Sequence, residues 1–522
     1  MRSFCICAIV FSFTFFDSAS AQTLALMDST FGVKGKTEIS LGNFGDELTD
    51  LYVSFNSYII ACGKVGTAVP GIRKFGMVRL DSAGTIDPTF GTNGKVVTSW
   101  NTSDYPNSLA VLSDSSMIMA GASARSAFIQ DQLPAVYRFK KDGTPDPSFG
   151  GDGHVALGYD TASNGTFKNI YTESTNFLAC GSITQNNSKG HSGFCAMRFK
   201  ADGSLDSTFG VNGKALIPAN VTSVSGFLTT NATITFIGVT VKTDSEPPVH
   251  LPIVLARMKA NGFPDSTFGN NGLITTAVTV PDYNLKSTVQ QDYKIVASIP
   301  NAFGVPSLPF NLVRFTTSGL PDSTYGSNGF VHLLLPGNAA EIHGLEVAKN
   351  GKTVVSGSGS SGFEKCASAR INLDGTPDLT FNLTGYDVFD IDPGEDTNYL
   401  VRFPAIGQKR YIGGGVAVLN GLPSFLIGRF HDVAQNDVKY TYSDAEPFKI
   451  YPNPVASVLN IESNVGMKDF RIVDALGRQI QRFSNLNVDA YLFDTRTLPN
   501  GVYYCVAQNE GKRVMQKFIV LH

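Results

Sequence analysis

Short hydrophobic runs separated by polar turns fill the chain, and they alternate with the two-residue period of half-buried β-strands. One stretch shows this well, because Leu109–Leu112 and Met117–Ser123 flank a Ser-Asp-Ser-Ser turn and predict a hairpin. Ala135–Lys140 predicts a third strand and Gly153–Leu157 a fourth. Since no long segment has the 3.6-residue period of an amphipathic helix, the sequence predicts an all-β chain.

A short motif, Asp-Ser-Thr-Phe-Gly or a close variant, opens the array and follows each predicted third strand except the last, and it recurs every 56 to 60 residues. Its seven copies begin at Asp28, Asp87, Asp146, Asp206, Asp265, Asp322 and Asp378. Such a period indicates one supersecondary unit repeated along the chain, and four short antiparallel strands per unit are typical of a β-propeller blade. The predicted fold class is therefore all-β, with a seven-bladed β-propeller over residues 22–431.

The two ends of the repeat array predict how the ring closes. The repeat array begins with a motif that has no third strand before it. The last third strand, Phe425–Phe430, has no motif after it. We expect Lys34–Leu41 to complete the blade whose other strands lie in Tyr399–Phe430. This closure would leave no open sheet edge.

Turn chemistry explains the residues of the motif. An Asp side chain bonds readily to the backbone amides that follow it, and Gly accepts the positive φ of a tight turn. We expect the motif aromatic to fill the space between blades, and the Arg near the end of each third strand to pair with the motif Asp. A catalytic group is not needed seven times over, so we interpret the motif as scaffold.

The pattern of hairpin, Arg-containing strand, Asp-Gly turn and motif resembles the delta-60 repeat, a bacterial propeller repeat, over about Met27–Phe430. The seventh copy departs from the pattern, with Asn382 in place of the motif Gly. The resemblance implies a propeller fold, and it brings no enzymatic activity with it.

Beyond a polar linker at 432–446, alternating strands with Gly and Pro turns predict a small immunoglobulin-like β-sandwich at 447–522. Its most distinctive residues are Tyr451, Pro452, Asn453, Pro454, Gly501, Tyr503 and Lys517. Their order and spacing resemble the C-terminal sorting domain of the type IX (Por) secretion system of Bacteroidetes. The resemblance implies that the translocon and a sortase are partners during export, and that the tail is cleaved, with release or lipopolysaccharide attachment of the mature protein. The alternative is an accessory module that stays attached.

The N-terminus has the pattern of a signal peptide at residues 1–21. Arg2 supplies the positive charge, Cys5–Phe16 the apolar region, and Ala19-Ser20-Ala21 the cleavage site. A membrane anchor is the alternative, but the apolar run is too short to span a bilayer. With the sorting-like tail, this predicts a secreted or outer-surface protein with no transmembrane segment.

Charge and cysteine content narrow the possible partners and cross-links. The formal net charge of −3, with 16% charged residues and no cluster of Lys and Arg, argues against a nucleic-acid partner. Five cysteines remain after the signal peptide, an odd number that implies no disulfide framework. Cys180 and Cys195 lie on neighbouring predicted strands, where a disulfide is possible; buried free thiols are the alternative.

Few residues suggest chemistry. Asp390, Asp392 and Asp396 cluster like a calcium loop without its full ligand order, so calcium is the one cofactor considered, and a solvated loop is the alternative. The His residues lack metal-binding spacing, and the chain has no Gly-x-Ser-x-Gly motif. We therefore assign no catalytic residue.

Loop parity separates two faces of the predicted propeller. The variable-loop face carries the loops before the first strand and between the second and third strands of each blade, such as Trp100–Asn107. The motif face carries the short turns and the motif. Variable loops on a rigid scaffold are where binding usually occurs. Trp100 and Tyr105 are the candidate ligand contacts there, and a core-capping role is the alternative for Trp100.

Two functions remain open from the sequence. The first is a secreted or surface-displayed binding module that takes a glycan, peptide or protein on the variable-loop face. The alternative is a secreted hydrolase or lyase with its site in the central channel. The absence of a convergent acid, base or metal set in the sequence favours binding.

Overall fold

The computed structural model describes residues 28–522 with short gaps. The gaps are 55–57, 127–131, 160–162, 174, 186–191, 230–232, 242–250, 282, 301–309, 334–339, 349, 360–364, 382–384, 390–398, 403–404, 407–409, 420–421, 432–447, 464–468, 475–478, 484–489 and 510–511. The predicted signal peptide, the predicted linker and the candidate calcium loop with Asp390, Asp392 and Asp396 lie outside the described residues.

Short strands follow one another throughout the first 431 residues, as the hydrophobic alternation predicts. In chain order they are β1 (Lys36–Ile39), β2 (Asp46–Val53), β3 (Tyr58–Gly66), β4 (Arg73–Asp81), β5 (Lys95–Thr98), β6 (Ser103–Val111), β7 (Met117–Ala124), β8 (Gln132–Phe139), β9 (His154–Ala156), β10 (Ser163–Glu173), β11 (Asn176–Gln185), β12 (Ser192–Phe199), β13 (Lys214–Pro218), β14 (Val221–Leu228) and β15 (Ile234–Thr240). They continue with β16 (Leu251–Met258), β17 (Leu273–Val280), β18 (Ser287–Val289), β19 (Ile295–Ser298), β20 (Phe310–Phe315), β21 (Phe330–Leu333), β22 (Ala340–Val347), β23 (Thr353–Gly359), β24 (Lys365–Ile371), β25 (Tyr386–Phe389), β26 (Tyr399–Arg402), β27 (Ala405–Ile406), β28 (Arg410–Leu419) and β29 (Leu422–His431).

These strands form antiparallel sheets. Among the described residues before the tail, six sheets have four consecutive strands each: β2 to β5, β6 to β9, β10 to β13, β14 to β17, β18 to β21 and β22 to β25. A seventh has the order β1-β29-β28-β26, with β27 beside β28. The first strands of successive sheets contact one another in turn, from β2 through β6, β10, β14, β18 and β22 to β26, and β26 contacts β2. The result is a closed β-propeller around a central channel.

The ring closes as the incomplete first and last repeats predict. Strand β1, from the N-terminal side of the array, pairs antiparallel with β29, the last strand before the tail, with Lys36 opposite Gly428 and Ile39 opposite Phe425. The first and last parts of the array thus share one sheet, in which β1 covers the edge of β29.

The hydrophobic cores lie between neighbouring sheets. Phe75 and Phe90 from the first repeat pack in one cluster with Met119, Tyr137 and Phe139 from the second. The motif aromatic is buried in all seven copies, as predicted; the residues are Phe31, Phe90, Phe149, Phe209, Phe268, Tyr325 and Phe381. Each sheet is thereby held to the next by apolar packing.

The strands of the second repeat match the predicted hairpin but start earlier. Strand β6 begins at Ser103, whereas the sequence predicted a variable loop up to Asn107. The register of β6 against β7 shifts between Pro106 and Ser108, which marks a β-bulge at Asn107. A bulge inserts one residue and reverses the in-out alternation, so the first half of the strand was mistaken for loop.

The tail folds into two facing sheets. Its strands are β30 (Phe448–Tyr451), β31 (Val458–Ser463), β32 (Asp469–Asp474), β33 (Gln479–Phe483), β34 (Ala490–Asp494), β35 (Gly501–Asn509) and β36 (Lys512–Val520). One sheet has the order β30-β31-β34 and the other β33-β32-β35-β36. Leu459 and Phe493 from the first sheet share a buried core with Phe470, Cys505 and Phe518 from the second, which gives the predicted β-sandwich.

Candidate functional site

The motif residues are hydrogen-bonded to one another and to the next repeat on the motif face. In the first copy the Asp28 carboxylate accepts hydrogen bonds from the Thr30 amide at 3.1 Å and the Thr30 hydroxyl at 2.6 Å. The amide N–H of the motif glycine donates to the turn of the next repeat, as from Gly91 to the Asp142 carbonyl oxygen at 2.7 Å. Gly91 has φ of +55°, and a Cβ there would lie 2.3 Å from the Lys95 carbonyl oxygen, so only glycine fits.

The repeated Arg connects its own motif to the following sheet. Arg257 forms an ion pair with Asp265 at 2.7 Å, lies 4.5 Å from the centre of the Phe268 ring, and donates to the Thr317 carbonyl oxygen of the next repeat at 3.0 Å. The predicted Arg–Asp pairing is present in six copies. The pairs are Arg79–Asp87, Arg138–Asp146, Arg257–Asp265, Arg314–Asp322, Arg370–Asp378 and Arg429–Asp28.

The fourth copy, at Asp206, departs from this pairing. Arg198 forms its ion pair with Glu173 at 2.9 Å, and the Asp206 carboxylate accepts a hydrogen bond from the Asn176 side chain at 3.1 Å. Arg198 still donates to the next repeat, at the Ala260 carbonyl oxygen. The polar groups of the motif are therefore occupied by contacts within and between sheets, which supports the interpretation of the motif as scaffold.

The central channel is lined at one level by a set of residues that break strand register. β-Bulges occur in the innermost strands between Leu48 and Asp50, Pro106 and Ser108, Phe167 and Asn169, and Ile342 and Gly344. Lys286 takes the equivalent position before β18, where its carbonyl oxygen accepts from the Ser298 amide and its amide donates to the Ser298 hydroxyl. We call the residues at these positions, Thr49, Asn107, Lys168, Lys286 and His343, the bulge ring.

Two members of the bulge ring join neighbouring sheets. The Thr49 hydroxyl donates to the Pro106 carbonyl oxygen at 2.8 Å. The Asn107 side-chain amide donates to the Phe167 carbonyl oxygen at 2.8 Å and to the Thr166 hydroxyl at 2.9 Å. Since each contact reaches the next innermost strand just before its own bulge, the ring lies at one level around the channel.

The remaining members, Lys168, Lys286 and His343, carry nitrogen bases, and the pKa values of Lys168 and His343 are lowered. Lys168 is open to solvent along the channel but enclosed by protein on its sides, and this enclosure, together with the charges of Lys64 and Lys286, lowers its pKa to about 8. Enclosure and the charge of Lys286 lower the pKa of His343 to about 4, so its imidazole is neutral at pH 7. Lys64 lies close to these groups and forms an ion pair with Glu47 at 3.1 Å.

A cavity of ≈ 320 Å³ adjoins the bulge ring on its motif-face side. Its lining includes residues that directly follow the ring on their strands, among them Asp50, Asn169 and Ser287. The Asp50 carboxylate accepts hydrogen bonds from the Leu109 and Leu51 amides, both at 2.7 Å. The Ser287 hydroxyl is buried and has no hydrogen-bond partner among the described residues.

Trp100 and Tyr105, the predicted ligand contacts, do not form a joint exposed surface. Trp100 packs between two sheets, with its ring 5.2 Å from that of Tyr137 and stacked 5.5 Å from that of His154, and its indole N–H donates to the Asp152 carbonyl oxygen at 3.2 Å. Tyr105 lies in β6, and its hydroxyl donates to the Gly71 carbonyl oxygen at 3.2 Å. These contacts favour the core-capping alternative for Trp100, and a ligand role for either residue stays a prediction.

Cys180 and Cys195 are not joined by the disulfide considered from the sequence. Both are free and buried. The register of β11 and β12 places Cys180 opposite Ala196 and Cys195 opposite Gly181, so the two thiols lie on opposite faces of one sheet. Burial raises the pKa of the Cys195 thiol to about 12, which keeps it protonated.

The sorting-like residues of the tail hold its first and last strands together. The Asn453 side chain donates to the Lys517 carbonyl oxygen at 2.8 Å and accepts from the Ile519 amide at 2.9 Å. The Tyr503 hydroxyl donates to the Pro499 carbonyl oxygen at 2.9 Å, two residues before Gly501 begins β35. Tyr451 bonds through its hydroxyl to Glu462. The motif thus has a structural role inside the sandwich, with Pro452 and Pro454 on either side of Asn453.

Sequence reasoning missed Lys168, Lys286 and His343. A signal exists for Lys168 and His343, because the second strand of each of these hairpins carries a glycine opposite the residue before the bulge, Gly181 and Gly357, as Gly121 does in the second repeat. Strand β19 carries no glycine, so Lys286 lacks this signal. A Cβ at Gly121 would lie 2.0 Å from the Tyr105 carbonyl oxygen, so the bulged partner requires glycine.

Family comparison agrees with this architecture. Residues 449–521 match the Secretion system C-terminal sorting domain. Residues 178–209, which run from β11 to the motif phenylalanine of the third repeat, match the Domain of unknown function (DUF5122) beta-propeller. The chain is a β-propeller protein with a secretion-system sorting domain. It is therefore a secreted or outer-surface protein that interacts with the export machinery through its tail.

Solved structures similar to this propeller protein are distant. The Pyrococcus horikoshii acylaminoacyl peptidase matches with 10% identity and a TM-score of 0.39, over 80% of this chain and 58% of that one. The α-L-arabinofuranosidase of Fusarium graminearum with arabinobiose matches with 14% identity and a TM-score of 0.38, over 62% of this chain and 93% of that one. Trypanosoma rangeli sialidase matches with 8% identity and a TM-score of 0.37, over 92% and 89%. Likenesses at this level carry no argument about activity.

Comparison with curated protein sequences finds no match to this propeller protein. In the part of the chain that the structure describes, no helix has the length and hydropathy to cross a membrane. Within the same part, no group of three or more His, Cys, Asp and Glu side chains is arranged to hold a metal ion.

Proposed function

We propose that the exported propeller acts as a binding module whose ligand, a glycan, peptide or protein, enters the central channel from the variable-loop face. The observation that carries this proposal is the contrast between two rings of polar residues. On the motif face each of the repeated Arg side chains forms an ion pair with a carboxylate, whereas Lys168 in the bulge ring is open to solvent.

The topology supports ligand entry from the variable-loop face. Innermost strands start on the variable-loop face, so residues before each bulge, such as Glu47, lie toward that face. Lys64 and Glu47 therefore stand at the entrance, with Lys168 at the bulge behind them. The cavity of ≈ 320 Å³ lies beyond the bulge ring from this entrance. Clefts on a rigid scaffold are common ligand sites.

Two of the carboxylates near the channel, Asp50 and Glu47, lack the setting of a glycosidase acid or nucleophile. Such an enzyme needs two carboxyl groups flanking a bond, one of them able to give a proton. Asp50 is held by two backbone amides, and Glu47 is paired with Lys64. Binding without turnover is the function that these contacts support.

Glycan and peptide arrays probed with the protein lacking residues 1–21 test the proposal. Hydrogen exchange in the presence of any captured ligand should show protection at the innermost strands around their bulges, and none at the motif turns. Chemical conversion of the ligand, or protection confined to the motif face, would contradict it.

A further inference from the structure

We infer that the bulge ring recognises a compact oxyanion, a carboxylate or sulfate, carried on a hydroxylated, sugar-sized group that occupies the adjoining cavity. This inference rests on the proposed function and names the ligand chemistry of the same site.

Positive charge collects at the ring. The charges of Lys64 and Lys286 act on Lys168, and so does the Glu47 carboxylate. These three ammonium groups and one carboxylate sum to a formal charge of +2 at the ring, while the Asp50 and Glu346 carboxylates line the cavity next to it. The chain as a whole has a net charge of −3, so this positive cluster does not reflect the average composition.

Lys168 is the member best placed to meet a ligand. Its side chain is exposed along the channel, and within the described residues it forms no ion pair. The positive charges of its neighbours Lys64 and Lys286 repel the positive charge of Lys168. An oxyanion placed between these ammonium groups would relieve their repulsion, and a low-dielectric channel strengthens that attraction.

The cavity would hold the hydroxylated group that carries the oxyanion. Its volume of ≈ 320 Å³ lies at the lower end of the range for small-molecule sites, roughly 300–1,000 Å³. Ser287, which directly follows Lys286, directs a buried hydroxyl with no partner among the described residues into this lining. A buried hydroxyl without a partner is costly, and a ligand hydroxyl would satisfy it.

The lining is polar in the way that a sugar requires. Asn169 follows Lys168, Ser287 follows Lys286, and Glu346 lies three residues after His343. Amide and hydroxyl groups donate to and accept from sugar hydroxyls, and a carboxylate accepts from them. A hydroxylated body with one acidic group therefore matches both the cavity and the charged ring above it.

Calorimetric titration of the protein lacking residues 1–21 tests this inference, with galacturonate, glucuronate and inorganic sulfate as acidic probes and galactose and glucose as neutral ones. The acidic sugars should bind saturably, at least tenfold more tightly than their neutral counterparts, and sulfate should compete with them. Lys168→Gln should weaken acidic-sugar binding at least tenfold. Lys141→Gln, which removes the same charge from an exposed lysine on the motif face, should change it by less than twofold.

Two results would overturn the inference. One is the lack of saturable binding of every acidic probe; the other is equal binding by the parent and Lys168→Gln. If a neutral ligand from the arrays bound the parent and Lys168→Gln equally at the bulges, the proposed function would stand and the inference of oxyanion recognition would be wrong. Failure of all array ligands would remove the proposed function itself.

Discussion

Arg429, near the end of the last propeller strand, forms an ion pair with Asp28, 401 residues earlier in the chain, with 2.8 Å between Nε and Oδ2. The same guanidinium donates to the Ser82 carbonyl oxygen at 2.6 Å and to the Thr30 hydroxyl at 2.7 Å. One side chain thus joins the two ends of the array and the first full repeat. The contacts that link consecutive repeats elsewhere close the ring here.

Arg429→Ala should destabilise the propeller more than the same change in an ordinary repeat. It would leave Asp28 buried without its partner, which we expect to lower the free energy of unfolding by about 3 kcal/mol. Arg79→Ala is the matched control, since the Arg79–Asp87 pair has the same geometry but is more exposed. Urea unfolding measures both, and equal losses would contradict a special role for the closing pair.

Removal of residues 22–41 should expose the edge of β29. The deletion takes away β1 and the Asp28 turn, so we expect a markedly lower melting temperature and association through the unpaired edge. Removal of residues 22–27 alone is the control, because it stops before Asp28. Melting curves and light scattering report the two effects, and a truncated protein that melts within about a degree of the parent would contradict closure by β1.

Trp100→Ala should act on stability. The indole packs against Phe75, Tyr137 and His154, so its loss should lower the free energy of unfolding by about 3 kcal/mol. Tyr105→Phe removes only one hydroxyl hydrogen bond and should cost about 1 kcal/mol or less. Unchanged stability of the Trp100 variant together with lost ligand binding would restore Trp100 as a ligand contact.

Acid should weaken the propeller through the motif carboxylates. Burial raises the pKa of Asp322, but the hydrogen bonds from Thr324 and Lys294 and the charge of Arg314 outweigh it and hold the pKa well below its ordinary value. The folded state therefore binds fewer protons than the unfolded state, so this stabilisation is present above about pH 4 and is lost as the pH falls. Thermal melting between pH 6 and pH 2 should show the loss, and Asp322→Asn should make it shallower. An unchanged pH dependence in this variant would contradict the assignment.

The propeller fold could be predicted from the sequence because each repeat carries the same core and turn residues close together in the chain. Phe31 and its six counterparts recur beside the same turn residues, so their burial follows from one repeat. The closure of β1 on β29 followed from counting strands at the two ends. A single bulge was enough to hide half of β6, because the residue at Asn107 shifts the alternation that marks a strand.

The candidate site could not be predicted in the same way. Lys168 and Lys286 are two repeats apart in the chain, and only the curvature of the ring brings them to one channel. Neither lies in the shared motif, and neither belongs to a recognisable local pattern of charge. Trp100, by contrast, attracted attention as the single tryptophan, and its surroundings are the inter-sheet core.

A diffraction measurement tests most directly whether the bulge ring is a ligand site. Crystals of the protein lacking residues 1–21, soaked in selenate as a sulfate analogue, would be measured at the selenium absorption edge. We expect an anomalous peak inside the channel in contact with the Lys168 ammonium group, absent from crystals of Lys168→Gln and retained in Lys141→Gln. Peaks confined to the outer surface, with none in the channel of the parent protein, would contradict it.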